Sequence, residues 1–238
     1  MFIDLGPGLV LILLFVAAVG WWVREQILAR ARRRRLFKLG FTAEDLRSRE
    51  QLFKRWGEIL VEKLPQKISL TEMASHSWSI GAKYSETAAT LESLGFRRAS
   101  IFVASPQGWV VEFWLTKRPQ LFAKIIDSSQ RGVYTEMTVI DSEGSVVSIE
   151  NTDPCGFKHR EPDTWVHAGL ISPAELLAKV LQIRTLENGQ ILDLAGCVRL
   201  YENSVNEYLV WRRSVGISAD EVNNTLKLLK KKRPEIVH

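Results

Sequence analysis

The sequence predicts an α+β protein: an N-terminal transmembrane helix followed by helices packed on an antiparallel β-meander of about five strands. Three observations predict it. Residues 5–23 contain no ionisable side chain. Between residues 99 and 150 the apolar residues alternate with a period near two and are punctuated by turn sequences. On both sides of that stretch the apolar period returns to the spacing of a helix, with capping residues at the starts.

The opening segment sets the topology. A helix rises about 1.5 Å per residue, so roughly 20 apolar residues cross a ~30 Å hydrocarbon layer, and residues 5–23 come close to that length. Trp21 and Trp22 stand at its end, where indole rings favour the headgroup region, and a basic cluster follows. That cluster consists of Arg24, Arg30, Arg32, Arg33, Arg34, Arg35 and Lys38, set against Glu25. Positive residues are retained on the cytoplasmic side. The expectation is therefore a single-pass protein of the inner (cytoplasmic) membrane, with its N-terminus outside and its C-terminal domain inside. A cleaved signal peptide fits less well, because its charge would precede the apolar core and small residues would mark the cleavage site. Residues 1–23 are thus expected to be an anchor, 24–40 a basic juxtamembrane helix and 41–238 a cytoplasmic domain. Trp21, Trp22 and the seven basic residues are the expected lipid-headgroup contacts. Two readings of the arginines stay open, a surface attachment to anionic lipid and a topology signal alone.

Gly40 then stops the juxtamembrane helix, and Thr42 is expected to cap a new one running to about Lys63. Leu46, Phe53, Trp56 and Leu60 form its apolar stripe, and Pro65 ends it. Residues 66–78 show no clear period. A helix over 87–94 closes at Gly95, with Phe96 packing back. Strands are expected at 99–104, 109–115, 121–126, 133–140 and 145–150, with short turns between them that imply hairpins. Trp109, Val111, Phe113 and Leu115 share one side of their strand while Val110 and Trp114 take the other, so both sheet faces are expected to be covered. A polar loop over 151–171 leads to a capping box, Ser172-Pro173-Ala174-Glu175, which starts a helix. Asn188-Gly189 breaks that helix, a long one spans about 191–213 to Gly216, and Ser218-Ala219-Asp220-Glu221 starts a basic terminal helix.

Charge distribution narrows the partners. The formal net charge is +5, yet residues 24–38 carry seven basic side chains and Lys227, Lys230, Lys231, Lys232 and Arg233 add five more. The remainder of the chain is therefore acidic, which disfavours nucleic acid as a partner of the folded body. Two cysteines, Cys155 and Cys197, are too few for a disulfide framework and point to free thiols.

Motifs for chemistry are sparse. The loop gathers Asp153, Cys155, His159, Glu161, Asp163 and His167, but Cys155, His159 and His167 give at most three zinc ligands without paired spacing. Cys155 with His159 or His167 is also the one thiol–imidazole combination, close in sequence where such sites usually assemble from distant segments. Glu112 and Glu136 offer a pair of carboxylates for acid and base work, or simply solvated positions of the alternation. Phe102, Trp114, Phe122 and Tyr134 line a groove, or lie under helices. No phosphate-binding glycine loop and no hydrolase or metalloprotease signature occurs in the sequence, so no cofactor and no metal is expected.

The segments Leu91-Glu92-Ser93-Leu94-Gly95-Phe96, Tyr134-Thr135-Glu136, the turn 141–144, and Ser172-Pro173-Ala174-Glu175-Leu176-Leu177 resemble uncharacterised membrane-anchored bacterial proteins. The resemblance implies the same fold and carries no activity. The functional expectation is a binding module, for a protein or a small ligand, at the cytoplasmic face of the membrane. Its rival is a membrane-tethered, hydrolase-like enzyme built on the 151–171 loop.

Overall fold

The computed structural model describes residues 31, 34–42, 44–129, 131–140, 146–152, 158, 164–183 and 191–231. Among these residues no helix is long and apolar enough to cross a membrane, and the expected anchor over 1–23 lies outside them. The chain divides into two compact units, residues 1–55 and 56–238.

In the first unit, residues 34–38 are helical and Gly40, at φ +88°, turns the chain out of that helix. Thr42 and Asp45 then exchange bonds, the Thr42 N–H and hydroxyl donating to the Asp45 carboxylate and the Asp45 N–H donating to Thr42 Oγ1. This reciprocal cap closes one turn and stops there. The expected helix start at Thr42 is displaced to Ser48, whose hydroxyl accepts from Gln51 N at 3.1 Å, and α1 spans Arg49–Glu62.

The second unit is an α+β fold around a seven-stranded sheet. Its elements are β1 (Ser69–Met73), α2 (Gly81–Ser93), β2 (Arg97–Ser105), β3 (Trp109–Leu115), β4 (Leu121–Ser128), β5 (Gly132–Ile140), β6 (Val146–Glu150), β7 (Thr164–His167), α3 (Pro173–Ile183), α4 (Leu194–Val215) and α5 (Ala219–Lys231). The strands pair in sequence order, antiparallel throughout except for β6 and β7. The five expected strands are β2–β6. The expectation of a purely antiparallel meander of about five fails at the two ends. β1 falls in a stretch without apolar alternation. β7 returns parallel to β6, which a connection of a dozen or more residues permits.

Alternation sends successive side chains to opposite faces. On one face Trp114, Ala123, Ile125, Val133, Met137, Val139, Val147 and Ile149 meet Leu91 of α2, then Phe96, and Leu176, Leu177 and Val180 of α3. On the other, Phe102, Val111, Phe113, Phe122 and Ile126 meet Cys197, Tyr201 and Leu209 of α4. The helix signals act as expected at three ends. Phe96 N–H donates to Leu91 O beyond Gly95, which sits at φ +85°. Ser172 and Glu175 form the box that starts α3, and Ser218 and Glu221 form the one that starts α5.

α4 also guards a sheet edge. Asn206 Oδ1 accepts from Ile68 N at 2.7 Å and Glu202 Oε1 from Leu70 N at 2.5 Å, while Asn206 Nδ2 donates to Ile68 O at 3.1 Å. Two side chains one helical turn apart thus occupy the outward backbone groups of β1, which would otherwise template pairing with another chain. Gly57 of α1 meets the turn between α4 and α5 so closely that a Cβ there would lie 2.1 Å from the Ile217 carbonyl oxygen. Any side chain at that position forces the helix away.

Candidate functional site

The α4 face of the sheet holds the densest group of buried charge. Cross-strand register places Lys124, Glu136, Glu150 and His167 directly beside one another on β4, β5, β6 and β7. Lys124, Glu136 and Glu150 are almost wholly buried. Burying a charge is costly unless it is paired, and the partners are present. Lys124 Nζ donates to Glu136 Oε1 at 2.6 Å and lies 4.8 Å from the Tyr201 ring centroid and 5.1 Å from that of Phe122. Thr138 Oγ1 donates to the same carboxylate oxygen at 3.3 Å and lies 2.9 Å from Ser148 Oγ. Glu136 Oε2 is the oxygen with no partner among the described residues.

Glu150 is held by three groups. Arg131 Nη1 donates to its Oε1 at 2.8 Å, the Thr152 hydroxyl donates to it, and His167 Nδ1 meets the same oxygen. Burial alone would raise the carboxyl pKa. The contacts with His167, Arg131 and Thr152 outweigh it and bring the value to about 2. Burial also raises the Tyr201 phenol, with the negative Glu136 adding to it.

A depression between β4–β7 and α4 runs along this row, lined by Phe122, Lys124, Glu136, Thr138, Ser148, Trp165, Tyr201 and Ser204 among others. It measures about 300 Å³ with its opening to solvent included, and its enclosed part is near the limit for a single water molecule. Such a space does not take an organic substrate without movement of α4.

The opposite face carries two smaller groups. Glu112 is fully buried and accepts from Trp114 Nε1 at 2.8 Å, Tyr84 OH at 3.3 Å and Arg98 Nε at 2.5 Å. Burial nevertheless keeps its pKa above the usual carboxylate value. Asp127 accepts from Ser79 N at 2.7 Å and Ser79 Oγ at 2.6 Å, and stands 3.0 Å from His76 Nε2. Serine, histidine and aspartate come together here in the wrong order for nucleophilic catalysis. The serine proton is given to the carboxylate, whereas an activated serine needs the imidazole as acceptor. Asp127 instead ties the segment before α2 to the sheet.

A third cluster lies where α4 meets α5. Arg212, 2% exposed, donates to Glu221 Oε1 at 2.8 Å, Lys158 O at 2.5 Å and Gly216 O at 3.0 Å, with its guanidinium carbon 4.7 Å from the Trp211 ring centroid. Glu221 Oε1 accepts from Lys158 N at 2.8 Å. One buried ion pair therefore engages both backbone groups of Lys158. Burial pushes Glu221 up, and the Lys158 and Ser218 amides with Arg212 bring it down to about 2.

The expected site residues fall into four groups. Trp21, Trp22, Arg24, Arg30, Arg32 and Arg33 lie outside the described residues, whereas Arg34, Arg35 and Lys38 are exposed on the helical turn 34–38, beside exposed Phe37 and Leu39. Of the loop cluster, Asp153, Cys155, His159, Glu161 and Asp163 lie outside the described residues and His167 is on β7 against Glu150. Among the described residues no group of three or more metal-ligating side chains occurs. Glu112 and Glu136 are neither a pair nor solvated. They stand on β3 and β5 with β4 between, opposite Ile125 and Lys124 respectively, and so on opposite faces. Phe102 and Phe122 lie under α4 while Trp114 lies on the other face, so the expected aromatic set lines no common groove. Sequence reasoning missed the row itself. Its signal was Lys124 within the apolar run Leu121-Phe122-Ala123-Lys124-Ile125-Ile126.

No protein-family model, no curated protein and no solved structure matches this chain.

Proposed function

We propose that the chain is a single-pass membrane protein whose C-terminal unit is a binding module held at the cytoplasmic face of the inner membrane. The observation that carries this reading is the uncharged run over 5–23, ended by Trp21 and Trp22 and followed by the basic cluster. Tethering raises the effective concentration of whatever the module binds, a protein or a small ligand, without any new contact. The internal charges support binding over catalysis: the described buried carboxylates already accept from donors of their own fold, and the depression beside Lys124 and Glu136 encloses space for about one water molecule.

Membranes washed with alkaline carbonate should retain the full chain, and protease added to intact spheroplasts should leave residues 56–238 uncut. Release into the carbonate supernatant, or digestion of that unit from outside, contradicts the reading. In-cell crosslinking followed by mass spectrometry then identifies the partner.

One observation favours the hydrolase-like alternative: the 151–171 loop delivers His167 to a buried carboxylate. Serine- and cysteine-directed activity probes that label the purified chain, with labelling lost in His167→Ala, would replace the binding reading with this one.

A further inference from the structure

We infer that α5 is a second membrane contact, docking on anionic phospholipid headgroups, in addition to the anchor. The inference rests on the membrane-tethered reading above. α5 changes character along its length. Its first turn carries Asp220 and Glu221, and Glu221 with Val222 faces inward, where Arg212 neutralises the carboxylate. Beyond that turn Asn224, Leu226 and Lys227 are exposed, Leu226 by 38%. Lys230 follows Leu226 by four residues and Lys227 by three, the spacings that bring helical positions to one side. Lys231 and then Lys232 and Arg233 extend the same charge along the chain. A helix that exposes Lys227 beside Leu226 and whose sequence continues with basic residues suits a lipid surface.

Charge complementarity selects the occupant. Outside residues 24–38 and this terminal cluster the chain is acidic, whereas the stretch 227–233 carries five basic residues and no acidic one, so an anionic bilayer is its natural complement. Proximity favours the same occupant. The Ile217 carbonyl lies against Gly57 in α1, so α5 begins beside a helix only 34 residues beyond Val23. Even with those residues wholly helical, about 50 Å of chain joins the end of the apolar run to that point, which keeps α5 within reach of the bilayer. The plain alternative is that the lysines merely complement the helix dipole at its C-terminal end. The two differ in their dependence on lipid.

The test uses the full chain in nanodiscs carrying a trace of photoactivatable phospholipid, with peptides mapped by mass spectrometry. In discs containing phosphatidylglycerol, crosslinks should reach the peptide around Leu226 and Lys227 at least tenfold more than in phosphatidylcholine discs, and 0.5 M salt should reduce them. The triple variant Lys227→Gln, Lys230→Gln and Lys231→Gln should lose them, at about fivefold per lysine, while crosslinks to residues 1–23 persist. Equal labelling in both lipids, or unchanged labelling in the triple variant, overturns the inference and leaves the anchor intact. Should the chain fail to enter the discs, the anchor reading falls. The same probe in preformed phosphatidylglycerol vesicles then decides α5 alone, and absence of labelling there overturns the inference. Protection of α5 by an oligonucleotide but not by these vesicles also overturns it.

Discussion

The two faces of the sheet solve the same burial problem by different means. Under α2 and α3 the sheet presents a continuous apolar surface from Trp114 across Ile125 and Met137 to Ile149, and its carboxylates Glu112 and Asp127 are capped by nearby donors. Under α4 the surface is apolar on β2 and β3 and becomes a row of charge on β4 to β7. Apolar packing is non-directional and tolerates sliding, whereas an ion pair with fixed hydrogen bonds fits one register only. Lys124, Glu136, Glu150 and His167 sit on the half of the sheet that ends in β7, four residues long and parallel, which is held by its ladder to β6, by Val166 against the core and by His167 against Glu150. The charged row therefore specifies strand register, and the apolar face supplies most of the stability.

Removing one charge breaks this comparison most severely. Lys124→Met leaves Glu136 buried without its cation, and the expected loss is about 3–5 kcal/mol in urea unfolding. A loss no larger than that of a surface substitution would mean the pair is open to water. On the apolar face Leu176→Ala removes a fully buried side chain, with an expected loss of about 3 kcal/mol from transfer and cavity terms together. A negligible loss for Leu176→Ala would undo the division.

Acid tests the row without mutation. Glu150 has a folded pKa of about 2 against an ordinary 4.5. Because the folded value is depressed, the stabilisation is complete above about pH 4.5 and is lost as pH falls towards 2. The shift corresponds to at most about 3 kcal/mol. Urea midpoints should therefore fall over that window, and Glu150→Gln should flatten the fall. An unchanged profile in the variant would assign the acid sensitivity elsewhere, with Glu221, which shifts the same way, as the next candidate.

The smallest effect is expected at the guarded edge. Glu202→Ala with Asn206→Ala frees the outward amides of Ile68 and Leu70, costing about 1–3 kcal/mol in all, because an amide at an opened edge meets water. Light scattering should show self-association, since an exposed edge pairs with other edges. A monodisperse variant would show that β1 is protected by something else.

The sequence made β2 to β6 legible because their alternation is strong and their turns carry Gly and polar residues. β1 was not, since Ser69-Leu70-Thr71-Glu72-Met73 is largely exposed and its edge is completed by Glu202 and Asn206, more than 130 residues away. β7 was too short to stand out in a polar loop. Glu112 and Glu136 were misjudged as solvated positions because alternation implies a wet face only when one face is open. Val110 and Trp114, opposite Val111 and Phe113, already indicated that neither was. The starts of α3 and α5 were fully legible, because a capping box acts over four residues and needs nothing from the rest of the fold.

The most direct measurement of the central claim, that the charges on β4 to β7 are internal ties and not reactive groups, is a double-mutant cycle of Lys124→Met and Glu136→Leu. The double variant should recover most of the stability lost by Lys124→Met alone, with a coupling of 2 kcal/mol or more in magnitude, on the order of that expected for a buried, hydrogen-bonded pair. Additive losses, with no recovery in the double variant, would contradict the claim.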